Sequence, residues 1–158
     1  KTLAYISAIS SIGPFIVGIT KFKSAGKHFR LIILYFTLCV FVECISFYLN
    51  ASKINNNLLA DIFYILEGLA LISFFYLVFD EKDFFYPSII LAISYLGYGL
   101  YTTIFDPGPM AYNSNFRTGE SLIIQALSAY ALVRYSKSDK INILKDPGFW
   151  ISVGLFIY

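Results

Sequence analysis

The chain has 158 residues, of which 58% are hydrophobic, 19% aromatic and only 14% charged, with a net charge of +2 and a mean hydropathy of +0.68. A soluble domain carries about 45 to 50% apolar and about 25% charged residues, so the composition excludes a soluble globular fold and predicts an all-α, polytopic transmembrane helix bundle. One histidine, His28, and two cysteines, Cys39 and Cys44, set five positions apart on one apolar run, argue against metal chemistry and against a disulfide between them.

In chain order, apolar windows predict five complete spans at about 2–20, 31–49, 59–79, 86–105 and 119–136, and a truncated sixth at 149–158. Together they make one transmembrane domain over 1–158. Ten helical residues rise only about 15 Å, roughly half a bilayer core, so the sixth span predicts a continuation, and with no initiating Met the chain reads as a fragment of a six- to eight-helix protein. In the first span Gly13 and Pro14 predict a kink. Loops fall at Ser24 to Gly26, Asn50 to Asn57, around Pro87, at the DPGP run of 106–109 and at Asp146 to Gly148. No internal repeat is evident, which lowers the case for a duplicated transporter.

Basic residues set the expected orientation. With the amino terminus outside, the inner loops hold Lys21, Lys23, Lys27, Arg30, Lys82, Arg134, Lys137, Lys140 and Lys145, while the outer segments hold Lys1, Lys53 and Arg117. Acidic residues contribute little to this bias, so the DEKD turn at 80–83 does not reverse it. The expected location is a membrane crossed several times, with the amino terminus outside.

Counting from the outer loops places Glu43 and Glu67 at a similar depth, with Gln125, Ser128 and Tyr98 within about a turn of it. Tyr64 shares a face with Glu67, three residues apart. Arg117 and Glu120 stand at the outer mouth of the fifth span, with Arg117 too shallow to reach Glu43. An ion in the bilayer costs on the order of 3 kcal/mol, so such residues face the bundle interior, a partner or a water-filled cavity. Glu43, Glu67, Tyr64, Tyr98, Gln125, Ser128, Arg117 and Glu120 are therefore candidates for an outward-opening pocket that binds a small ligand or a proton. A structural network holding the second, third and fifth spans together explains the same residues, and both readings stay open.

No catalytic motif, cofactor-binding motif, metal cluster or basic-aromatic platform for nucleic acid is present in the sequence. Gly97 and Gly99 with Ser94 offer a small-residue surface for close helix packing. The run KDPGFWISVGLFIY at 145–158, with IFYILEGL at 62–69, resembles segments of small multi-spanning membrane proteins of Bacteroidota type. That resemblance implies a bundle of six to eight helices, some of which precede cytoplasmic signalling domains. The expected partners are the lipid bilayer, a small ligand or proton, and a cytoplasmic signalling domain or protein, with no nucleic acid. The expected function is a sensory, signal-input bundle; the alternatives are a proton-coupled small-molecule transporter and a membrane-embedded lipid-modifying enzyme.

Overall fold

A computed structural model describes residues 13, 15–79, 82–105, 114–137 and 143–157. Among the described residues the fold is all-helical: α1 (15–21), α2 (Lys27–Ala51), α3 (Asn57–Phe79), α4 (Lys82–Phe105), α5 (Ser114–Lys137) and α6 (Pro147–Ile157), with a 3-10 turn at Ile143–Lys145.

The helix ends are made by recognisable local chemistry. Arg30 ties the turn before α2 to its first residues, donating to the carbonyls of Ala25 and Lys23 at 2.9 and 3.1 Å, so one of the loop's cations is engaged within the protein. At the end of α2, Lys53 takes a left-handed φ of 59°. Its N–H bonds the carbonyl of Asn50, and that of Ile54 bonds Leu49, which is the paired closure that glycine usually makes. Asp146 accepts from the N–H of Gly148 at 2.8 Å, and Pro147 sits at the first position of α6, where a missing N–H costs nothing.

Three segments, Phe29–Ala51, Asn57–Phe79 and Phe84–Phe105, are long and apolar enough to cross a membrane. They also turn large apolar side chains outward: Phe41 and Phe47 on α2, Ile62 and Leu66 on α3, Ile90, Ile93 and Ile104 on α4. Apolar length with an apolar exterior is the signature of a helical membrane protein. Five complete spans were expected, and three meet the measure. The window 2–20 falls largely outside the described residues, as does the DPGP run. The 24 residues of α5 include Arg117, Glu120, Arg134 and Lys137 and are not apolar enough to count, while α6 has 11 residues.

Two boundaries differ from expectation. Pro87 lies inside α4 rather than in a loop; it stands past the first turn, so the helix forgoes the backbone bond its N–H would have made, and the Ser88 hydroxyl donates to the carbonyl of Phe85 at 2.8 Å. The helix of the fifth expected span begins at Ser114 rather than 119, because its first turns are polar and hydropathy does not register them.

At the centre stands α3, packed against α2, α4 and α5, while α6 packs on α5. Its lower stretch carries Leu71, Ile72, Phe74, Phe75 and Phe79, all buried. Phe79 meets Phe84 of α4 at 4.6 Å and Tyr130 of α5 at 5.1 Å between ring centroids, both edge to face. Arg134 lies over the Phe79 ring at 5.8 Å, closing this aromatic plug.

Candidate functional site

Half a helix above the plug, α3 changes character. Asp61, Tyr64 and Glu67 rise along it at intervals of three residues, and Gly68 follows. Three-residue steps keep side chains on neighbouring strips of one face. Asp61 and Glu67 are buried, at 3% and 4% exposure, which is rare for carboxylates without partners.

Glu67 finds its partner on α2. The hydroxyl of Tyr35 donates to its Oε1 at 2.5 Å, and the thiol of Cys39, one turn along α2, lies against the Tyr35 oxygen. On the opposite side Tyr95 of α4 donates to the carbonyl of Tyr64 at 2.7 Å. Gly68 makes this approach possible, since a Cβ there would collide with the Tyr95 ring. Gly99 does the same for Ile65 and Phe116, so the small-residue surface expected on this helix works through Gly99, whereas Gly97 faces open space.

From α5 come Arg117 and Glu120. The two helices run parallel and in register: Arg117 stacks over Tyr64 at 5.0 Å from the ring centroid, and three residues on along each chain Glu120 comes within electrostatic range of Glu67. At the far end Tyr130 and Arg134 meet Phe79, as the parallel sense requires. Glu120 is 5% exposed and also neighbours Tyr95. The Tyr95 hydroxyl, which donates to the Tyr64 carbonyl, also lies within hydrogen-bonding reach of the Glu120 carboxyl. Its Oε1 has no hydrogen-bond partner.

No protein-family model, curated protein or solved structure matches the chain, so the site has to be read from its own geometry.

That geometry gathers two carboxyls, one guanidinium, three phenols and a thiol from four helices. Of the residues expected from the sequence it unites Tyr64, Glu67, Arg117 and Glu120. Glu43 is near Cys39, whose thiol also senses Glu67; along α2 it lies two turns, about 12 Å of helix rise, beyond Tyr35, the residue that bonds Glu67. Gln125 is exposed; five residues beyond Glu120 it is turned about 140° away around α5. Ser128 is fully buried but gives its hydroxyl to the Ile124 carbonyl of its own helix at 2.7 Å. Tyr98 is 46% exposed and lies beside the Phe116 ring at 5.8 Å. It borders a cleft of about 400 Å³ between α4 and α5 that reaches Tyr95 and Glu120.

Tyr95 is not legible in the sequence, because a tyrosine in an aromatic-rich span carries no polarity signal of its own. Only the pairing of a glycine on one helix with a tyrosine on the next could have pointed to it. Tyr35 and Cys39 are legible as neighbours of Glu43 along α2 but belong to Glu67. Asp61 and Thr103 of α4 each retain a buried oxygen with no hydrogen-bond partner; they lie at one level, each one turn beyond the contact of Ile65 with Gly99. Among the described residues no group of three or more His, Cys, Asp or Glu could hold a metal ion.

Proposed function

We propose that the chain is a membrane-embedded signal-input bundle in which uptake of a proton or small ligand at Glu67 and Glu120 alters how α2, α4 and α5 pack around α3. In this reading α5 also crosses the bilayer, despite its charged ends, as one of five complete spans before a sixth that starts with α6. The amino terminus lies outside a bacterial cytoplasmic membrane, and a cytoplasmic domain or partner receives the signal.

One observation carries the reading. Two buried carboxyls on α3 and α5 lie within electrostatic range of each other and of the Arg117 guanidinium, and each is in touch with a tyrosine on a different outer helix, Tyr35 for Glu67 and Tyr95 for Glu120. A change of charge at the pair therefore acts on four helices at once, and in a low-dielectric interior that interaction is strong. The aromatic plug below favours sensing over carriage. A carrier needs the site to open to both sides, whereas Leu71, Phe74, Phe75 and Phe79 fill the bundle beneath it. A lipid-modifying enzyme would need a nucleophile or metal beside the acids, and the described cluster offers phenols and a thiol already engaged in hydrogen bonds.

The test is a pH titration of the reconstituted protein carrying spin labels on the exposed faces of α2 and α5. The wild type should show a pH-dependent change in the label distance, and Glu67→Gln with Glu120→Gln should abolish it. A wild-type distance that does not respond to pH or to added ligand would defeat the proposal, as would a response that survives in the double variant.

A further inference from the structure

We infer that the cleft between α4 and α5 is a lateral binding site for an uncharged, membrane-dissolved molecule with an aromatic head bearing a hydroxyl, which donates to Oε1 of Glu120. Such a molecule is a ligand class for the proposed input site, and the inference rests on that reading only for the effect of binding on helix packing.

Three features of the cleft point to this chemistry. Its volume of about 400 Å³ falls within the range of about 300 to 1,000 Å³ typical of small-molecule pockets. Its walls are mainly apolar, with Tyr95, Tyr98 and Phe116 forming an aromatic side and Leu91, Leu122 and Ile123 an aliphatic one. Rings prefer offset or edge contacts with such walls. Glu120 is one of the residues lining the cleft, and its Oε1 is buried without a hydrogen-bond partner. Buried acceptors in native proteins are nearly always satisfied, so this oxygen marks where a donor belongs.

Position selects the rest. Tyr98 and Leu122, on the two sides of the cleft, are both exposed on the outward faces of their helices, where an embedded bundle meets lipid tails. A molecule entering there is already dissolved in the hydrocarbon, and an ionic head would have to be desolvated at that level. A phenolic or similar hydroxyl keeps the donor without the charge. Gly119 supplies the room: a Cβ at this position meets nothing within 4 Å.

The experiment titrates 4-hexylphenol and its methyl ether, 4-hexylanisole, into the protein in lipid nanodiscs, with affinities expressed per mole of lipid-dissolved ligand. A site that hydrogen-bonds a hydroxyl strongly disfavours the analogue lacking it, and the phenol should bind the wild type at least about tenfold more tightly than the ether. Glu120→Leu should erase that preference. Gly119→Leu fills open space without meeting the core, so it should fold normally and lose both ligands. Equal affinity for the two compounds in the wild type would overturn the inference, as would unchanged binding in the folded Gly119→Leu protein. Selective phenol binding with no change in the distance between α2 and α5 would uphold the cleft and count against the signal-input reading alone.

Discussion

Tyr35 and Glu67 join α2 to α3 through a hydrogen bond of 2.5 Å between the tyrosine hydroxyl and Oε1 of the carboxyl. The bond is made in the interior, where a lost donor is not replaced by water. Tyr35→Phe keeps the ring and removes the donor, and should destabilise the bundle by about 1 to 3 kcal/mol, the cost of leaving a buried acceptor unsatisfied. With Glu67→Gln the effects should not add: a double-mutant cycle in detergent titrations should give a coupling of about 0.5 to 2 kcal/mol. Additive losses would mean that the two residues act independently.

Gly68 and Gly97 are both helical glycines, yet their surroundings predict opposite outcomes for alanine. At Gly68 a methyl group collides with the Tyr95 ring, and overpacking of this kind costs about 1 to 3 kcal/mol. At Gly97 the methyl meets nothing within 4 Å, so Gly97→Ala should be neutral or gain up to about 1 kcal/mol from helix propensity. Thermal unfolding in micelles compares them directly, and a Gly68→Ala protein as stable as the wild type would remove Tyr95 from its assigned place.

Lys53 closes α2 in a conformation that suits glycine, with φ at 59°. Both closing bonds are made by backbone groups, so the side chain is not needed for them. Lys53→Gly relieves the strain of a left-handed lysine, about 1 kcal/mol. It should raise the unfolding midpoint, and a lowered midpoint would show that the lysine side chain contributes at this end of the helix.

Orientation has an independent check. In a variant with Cys39→Ser and Cys44→Ser, a cysteine introduced at Lys53 should react with a membrane-impermeant maleimide added outside intact cells. Labelling only after the membrane is opened would reverse the proposed topology.

The sequence by itself determined the helical, membrane-embedded character of the chain, because runs of apolar residues long enough to cross a bilayer leave no other way to satisfy the backbone. It also placed Tyr64 and Glu67 on one face, since three residues make nearly one turn. It paired Glu67 with Glu43 rather than with Glu120, and the reason lies in two quantities hydropathy does not encode. Depth was counted from the apparent start of a span, and the polar first turns of α5 hid the true start at Ser114, which moved Glu120 to the mouth. Rotation about each helix axis was undetermined, because side chains such as Ile62, which faces outward, and Ile65, in the core, are equally apolar. Tertiary packing decided both. The stacking of Arg117 on Tyr64 sets α5 against α3, and the fit of the Tyr95 ring over Gly68 sets α4, because close approach of helices fixes register and rotation together.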